Sequence, residues 1–559
     1  MLEPEYFYGK SDKLIEMYQD LEDWILQDIA NRLLKSGDLS GTADRELWKL
    51  EQMGLHRQEI IKRLSQLTGK SRNEIRRLLQ DSAMTSFSND SEVLEKVAQV
   101  VPLIQNNDVI QALNAELTKT MGELGNLTRT TMMQSQRDLL NMLNEVDFRV
   151  ASGLQSYSSA ICEVLDRYAE SGVMVNYPTG SRRSLEAAVR CCIVTSMNQT
   201  AAEVTNQYII QHGVEYVVVS QHLGARYNPK DPTGVSSHDW WQGKAYKIHG
   251  SEPGFPNLLE STGYDIDFDA KRGVCVNMLG LHGYNCRHSH GPWYKELGES
   301  LPEIDREESQ KRYDLEQKQR AFERAVRKTK RQLLVKEQEL NTFPDDENIR
   351  GDYDKLAYRL RMQNRKYGEF CAENDLQKQY DRVKVAGFKK EQASKANSRA
   401  TVFNNEEYKK HESNLGTNMV SKTDFSRIMA DKSEKKLFTH YSDAVKRGDV
   451  SPLADYKLYR KTAMELQDKC VGLTTSNGIK LKRRSLHCID RVIGSVEQRR
   501  NGITVDDVVK ALTSPEAEIR PVRYSGTSSS QKFIYKNAEV TINPVTMTLI
   551  QVNPHHREK

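Results

Sequence analysis

The chain has 559 residues and a mass of 64.0 kDa, several times one ordinary domain at roughly 150 residues per unit. With 38% hydrophobic, 28% charged and 8% aromatic residues and a mean hydropathy of −0.68, it is polar for a globular protein but too rich in large apolar side chains to stay unfolded. A formal charge of +4 excludes a global bias toward polyanions or membrane surfaces.

In chain order, the opening MLEPEYFYGK has neither the basic nor the apolar region of a secretory signal, and no window approaches the roughly 18 apolar residues of a membrane span. A soluble, intracellular, multidomain protein without membrane contact is expected. Eight cysteines, two of them adjacent (Cys191 and Cys192), are too few for a disulfide scaffold and fit a reducing compartment. Residues 1–150 read as a helical region. Leu21, Trp24, Ile25, Ile29 and Leu33 recur at three- and four-residue steps, giving one apolar stripe. A second helical stretch runs from about Ser91 to Val150. Gly69-Lys70-Ser71 hints at a phosphate loop, but Leu64 stands where that loop needs its first glycine. Gly69 is instead expected to end one helix, and Ser71 with Glu74 to form the capping box of the next.

Residues 151–300 form a second region. A helix around Leu185 to Gln207 leads into the β-branched run Glu215 to Ser220, a buried strand. About 75 residues rich in Gly, Pro, Trp, His and Asn follow, with Trp240, Trp241 and Trp293 among them. A loop this long inside a domain is functional or disordered, and its aromatic content argues against disorder. Residues 301–395 read as a charged helical hairpin. Leu315, Phe322, Val326, Leu333 and Leu340 make the seam of a short coiled coil, and Phe343-Pro344 breaks it. Residues 396–440, with the polar stretch from Lys389 to Asn414, read as a linker. Residues 441–559 form a small α+β domain. A helix spans about Leu486 to Arg499, Asn501-Gly502 turns, and Thr504 and Asp507 cap a helix over Val505 to Leu512. Strands cover Glu518 to Arg523, Lys532 to Tyr535 and Glu539 to Val552, the last broken by Asn543-Pro544 into a hairpin. From Ser476 to the end, 14 Lys and Arg face 8 Asp and Glu, a net +6 that leaves the preceding chain at −2. Such concentration suits a unit that handles RNA or DNA.

Three constellations carry possible chemistry. Cys275, His282, Cys286, His288 and His290 supply five soft ligands, enough for tetrahedral zinc. Their spacing lacks a C-x2-C arm, so the expectation is a scaffold in which Asn285, Arg287 and His288 satisfy loop backbone groups, with no metal and no cofactor. Ser220, His222 and Asp239 lack a nucleophile elbow and are not expected to form a triad. In the C-terminal domain, His487 has the titration range of a general base, and Arg491, one turn later, suits a phosphate clamp. Lys532 and Thr548 complete the candidate catalytic set, and the bland alternative is a solvated helix face.

The ordered series Tyr177-Pro-Thr-Gly-Ser-Arg-Arg183, the Arg190-centred helix, Val219-Ser-Gln-His-Leu-Gly-Ala-Arg226, His238-Asp-Trp-Trp-Gln-Gly-Lys244 and Gly283-Tyr-Asn-Cys-Arg-His288 resembles the phage minor capsid protein 2 family, relatives of the phage Mu head-morphogenesis protein. The resemblance implies a minor structural protein of a tailed-phage or prophage head. It would contact portal and capsid proteins during assembly in the host cytoplasm, then be carried in the virion. Ser485-Leu-His-Cys-Ile-Asp-Arg491, Arg499-Arg-Asn-Gly-Ile503 and the strands ending at Ile550-Gln-Val-Asn-Pro554 resemble the barnase/EndoU/colicin/RelE-like ribonuclease fold. That resemblance implies a metal-independent RNase toxin or effector module, with an immunity partner. Gln551-Val552 departs from the Thr-Val pair that this fold often carries before the proline. The fold class expected is α+β, predominantly helical and multidomain, with a small C-terminal α+β domain of antiparallel strands.

Overall fold

The stripe from Leu21 to Leu33 lies on helix α1 (Asp12–Lys35), where Leu21, Ile25, Ile29 and Leu33 are buried and Trp24 is half-buried. Around it pack α2 (Thr42–Leu94), α3 (Asn107–Ala151), α4 (Tyr157–Ser171) and α5 (Leu185–His212). A two-stranded ribbon, β1 (Met174–Asn176) with β2 (Arg182–Ser184), precedes α5. The computed structural model describes residues 1–36, 42–153, 155–177, 180–297, 301–526 and 528–555. It is an α+β, predominantly helical protein with two compact units, Met1–Arg399 and Ala400–Lys559.

The expected helix end at Gly69 does not form, because α2 runs through it. Leu64 and Leu67 before the glycine, and Ile75, Leu78 and Leu79 after it, belong to one buried core. Their burial outweighs the ~1 kcal/mol that a mid-helix glycine costs. Ser71 Oγ donates to the Thr68 carbonyl (3.2 Å) rather than capping, and Glu74 binds Lys13 (2.8 Å) and Arg77 (2.6 Å). The helical reading breaks instead after Leu94. Pro102 disfavours helix at Val101, and α3 restarts where the Asn106 side chain accepts from the Val109 N–H.

Helix α5 has no polar stripe toward solvent: Leu185, Val189, Ile193, Met197, Val204 and Tyr208 are buried around its length, as befits a central helix. Ser184 caps its start, and Gly213, in the left-handed region at φ 61°, ends it. The loop-rich region then folds over its second half. Here β3 (Tyr216–Val219) is the middle strand of an antiparallel sheet, between β4 (Ala245–Lys247) and β7 (His290–Trp293). Helix α6 (His238–Trp241) precedes β4 (Ala245–Lys247). Helix α7 (Leu258–Thr262) leads into the hairpin β5 (Tyr264–Asp267) and β6 (Arg272–Cys275), and β7 (His290–Trp293) closes the region.

Residues 306–373 form the expected helical hairpin, α8 (Arg306–Thr342) and α9 (Glu347–Glu373), with Asp346 capping α9. A coiled-coil seam is not what holds it. Val326 and Leu333 are buried, but so are Gln319, Glu323, Lys336 and Glu339. α8 packs against α1 and α4 as well as α9, and its polar residues find partners there: Lys336 binds Asp166 (2.8 Å) and Glu339 (2.7 Å), and Tyr367 donates to Glu323 (3.1 Å). The polar stretch from Lys389 is helical as α10 (Lys390–Leu415).

The second unit collects an aromatic core from α11 (Lys422–Ala430), α12 (Lys432–Lys446) and α13 (Tyr456–Cys470), with Phe425, Phe438, Tyr441 and Tyr459 fully buried. Then come β8 (Arg483–Arg484), α14 (His487–Ile493), α15 (Val505–Thr513), β9 (Glu518–Ile519), β10 (Arg523–Ser525), β11 (Ser528–Tyr535), β12 (Ala538–Asn543) and β13 (Thr548–Pro554). The sheet order is β10-β11-β12-β13-β8, antiparallel except for the parallel β13/β8 pair, and β9 pairs β11. Thr504 and Asp507 form the expected capping box. The helix expected to reach Arg499 stops at Ile493. Gly494 sits at φ 90°, and a Cβ there would lie 2.5 Å from the Gly502 backbone nitrogen. Two glycines let the strands of this turn approach, and Ile503 N–H donates to the Val492 carbonyl (2.9 Å). Among the described residues no helix is long and apolar enough to cross a membrane.

Candidate functional site

The loop-rich region is pinned by polar side chains of α5, which answer backbone groups that have no sheet or helix partner. Asn198 Nδ2 donates to the carbonyls of Cys286 (2.8 Å) and His288 (3.0 Å), Gln199 to that of His282 (2.9 Å), and Gln207 to that of Lys271 (2.8 Å). Thr195 Oγ1 accepts from the Asn285 N–H (3.1 Å). Both Asn285 (φ 54°) and His282 (φ 56°) are held in the left-handed region. The loop backbone is held by side chains of α5 and not by Asn285, Arg287 and His288 as expected: the His288 ring meets Gln242 Oε1 (3.0 Å), and Arg287 lies over the Tyr8 ring.

Two histidine pairs lie within it, both buried. His282 Nε2 and His290 Nδ1 are 2.7 Å apart. His290 Nε2 meets Asn206 Oδ1 (3.0 Å), and Asn206 Nδ2 donates to the Tyr264 hydroxyl (2.8 Å). The second pair adds a thiol. His238 Nδ1 and His288 Nδ1 are 3.3 Å apart, and Cys286 Sγ is 3.8 Å from each. Of the five ligands grouped by sequence, only Cys286 and His288 join the thiol-bearing cluster. Cys275 turns its Sγ to the Leu281 carbonyl (3.2 Å), and His282 with His290 forms the separate pair. His238, absent from that group, comes from the short helix α6. Burial holds His238 and His288 well below the usual imidazole range, and pushes the Cys286 thiol up. His222 stacks on His288 with ring centroids 4.7 Å apart; burial, with Arg287 near it, takes its pKa down to about 4.

Ser220, His222 and Asp239 are each engaged elsewhere. Ser220 Oγ accepts from Ser289 N–H (2.9 Å), His222 Nδ1 meets the Leu223 carbonyl (2.8 Å), and Asp239 accepts from Arg306 (2.7 Å) and Gln310 (2.9 Å). No triad forms. A cleft of about 330 Å³ reaches His222, His238 and His288, and its walls carry Arg190, Arg226, Arg287, Arg320, Arg327 and Arg382. Burial lowers Arg320 and Arg327 to about 10.

In the second unit, α14 brings two of the four proposed catalytic residues together: Arg491 Nε donates to His487 Nε2 (3.2 Å). Beneath them lies a residue the sequence did not single out, Asp490, which is fully buried. Its Oδ1 accepts from the Tyr459 hydroxyl (2.6 Å), and its Oδ2 lies 2.9 Å from His440 Nε2 and 3.4 Å from His487 Nδ1. Arg500 donates to the Asp490 backbone carbonyl (3.2 Å). Lys532 pairs with Glu539 (2.8 Å) on the sheet face opposite the buried Phe533 and Val540, and Thr548 bonds Thr546 at the start of β13. No hydrogen bond or ion pair among the described residues joins Lys532 or Thr548 to the His487–Arg491 pair.

The helical body carries a histidine-rich, internally bonded loop region, and a small basic α+β unit follows it in the chain. The chain is similar to a phage structural protein, the "Structural protein" of Lactococcus phage LL-H, at 25% identity over 354 residues, 60% of this chain and 88% of the other. Residues 2–371 match Phage minor capsid protein 2, and the chain belongs to that family. The match ends within α9, before the second unit begins. No solved structure matches the chain.

Proposed function

We propose that this protein is a minor component of a tailed-phage or prophage head that works beside the portal during head assembly and DNA packaging. It is made in the host cytoplasm and stays in the virion. The observation that carries this reading is that the family match covers residues 2–371, most of the helical body, whose mid-chain polar side chains face one another. Asn198, Asn206, His282, His290 and Trp241 use their polar atoms inside the fold, as a rigid building block requires. Its partners would be portal and capsid proteins. Purified particles of the parent phage are expected to contain the chain, and cross-linking in assembling heads should join it to the portal. Particles lacking the chain, or normal head formation after its deletion, would overturn the reading.

A second reading rests on the C-terminal cluster. The basic unit, similar to barnase/EndoU/colicin/RelE-like nucleases, would be a virion-delivered ribonuclease held in check by an immunity partner. His487 would take the proton of the RNA 2′-hydroxyl as that oxygen attacks phosphorus, and Arg491 would hold the phosphate charge while the 5′-oxygen leaves with a proton from solvent. Lys532 and Thr548 would line the RNA from the sheet. The full chain incubated with RNA, and separately with DNA, is expected to cleave RNA. His487→Ala should slow cleavage by ~100-fold or more, the usual worth of a general base. A wild-type chain that leaves RNA intact removes this reading and leaves the structural one standing.

A further inference from the structure

We propose that His238, Cys286 and His288 bind one zinc ion through the two Nδ1 atoms and the Sγ, and that this ion fastens the loop before β7 to helix α6. Hydrogen-bond partners fix where the ring protons sit. His238 Nε2 lies 2.8 Å from the Leu279 carbonyl. A carbonyl only accepts, so Nε2 carries the proton and Nδ1 presents a bare lone pair. His288 Nε2 lies 3.0 Å from Gln242 Oε1. That atom is fixed as oxygen because it also accepts the His222 backbone N–H at 3.0 Å. His288 therefore has its proton on Nε2 too. Two bare nitrogens face each other at 3.3 Å with no proton between them, and the single thiol proton of Cys286 can serve only one.

The His238, Cys286 and His288 ligand atoms stand at the spacing a metal sets. Tetrahedral zinc with Zn–N of about 2.0–2.1 Å and Zn–S of about 2.3 Å places its nitrogens about 3.3 Å apart and nitrogen to sulfur about 3.6 Å apart. The three distances here are 3.3, 3.8 and 3.8 Å. The outer hydrogen bonds, from Nε2 to a backbone carbonyl and to a glutamine oxygen, are those that orient metal-bound imidazoles. One thiolate and two imidazoles favour zinc over magnesium or calcium. All three ligands are buried, which marks a structural ion. The cleft side supplies the entry path and room for water as the fourth ligand.

The full-length chain, expressed with zinc in the medium, is expected to carry one zinc ion per molecule by elemental analysis. After zinc is withdrawn with a chelator, added Co²⁺ should give tetrahedral ligand-field absorption and a thiolate charge-transfer band. Cys286→Ser should abolish that band, whereas Cys275→Ser should keep it. Gln242→Leu, which removes an orienting acceptor, should weaken zinc about 10- to 100-fold. Because Cys286→Ser could unseat the loop, the wild-type chain decides: no stoichiometric zinc and no tetrahedral Co²⁺ spectrum overturns the site. A charge-transfer band that survives Cys286→Ser overturns the ligand assignment.

Discussion

Trp241→Ala is expected to destabilise the loop-rich region by about 3–5 kcal/mol, the range for deleting a large buried aromatic. Trp241 is 1% exposed and is the largest fully buried side chain in the protein as described. Its ring centroid lies 4.5 Å from that of His238 and 5.0 Å from that of His288, so it walls the histidine–cysteine cluster on one side. Its Nε1 donates to the Val235 carbonyl (2.9 Å), and the Tyr246 hydroxyl donates to its own carbonyl (2.6 Å). Alanine would leave a cavity and an unsatisfied buried carbonyl together, and few strands stand nearby to take up the strain. Its neighbour is the control. Trp240 is 40% exposed, with the Lys244 ammonium and the Arg306 guanidinium over its ring; Trp240→Ala should cost ~1 kcal/mol or less. A chain with two units does not unfold in one step, so the measurement is hydrogen exchange resolved by segment. Trp241→Ala should lose protection across 216–293 while the C-terminal strands keep theirs. Unchanged exchange in that segment would remove Trp241 from the core assigned to it.

The contrast between the two tryptophans shows what sequence reading reaches. Periodicity marks faces reliably where one long element supplies them: the α1 stripe, the β3 run and the Thr504–Asp507 box lie where spacing puts them. It fails where a distant element decides. Gly69 passes through a helix because α1 and α5 cover the apolar residues on both sides of it. The helix after Leu486 stops early because Gly494 and Gly502 meet backbone to backbone, a contact that no local pattern announces. The histidine–cysteine cluster was half legible. Cys286 and His288 are two residues apart in the chain, but His238 is 48 residues from the cysteine, and its only signal is the His-Asp-Trp-Trp motif. Cys275 looked equivalent by spacing, yet it ends strand β6, whose pairing with β5 directs its thiol to a carbonyl. Asp490 had no signal beyond an ordinary three-residue step from His487. Only the arrival of α12 and α13, carrying His440 and Tyr459, turns it into a buried acceptor for three donors.

Asp490→Ala should therefore be the most damaging single change in the second unit, costing about 3–5 kcal/mol as removal of one partner from a buried charged network does. The carboxylate is fully buried, and so is the Tyr459 that binds it at 2.6 Å. Without it, the tyrosine hydroxyl and the two imidazole N–H groups of His440 and His487 lose their acceptor, and only the imidazoles can turn to water, since His487 is 40% exposed at its side chain and His440 23%. Asp490→Asn separates charge from shape. Its amide oxygen can still accept from Tyr459, while its NH₂ faces the His440 Nε2 and must be met by a change of tautomer, so the cost falls to about 1–3 kcal/mol. Segment-resolved hydrogen exchange over 456–493 in the full chain measures both. The expected order is wild type most protected, Asn intermediate, Ala least. Equal protection in all three would mean that the carboxylate does not join α12, α13 and α14. In that case His487 would be held only by Arg491, 3.2 Å away on its own helix, which is too little to fix a general base in place.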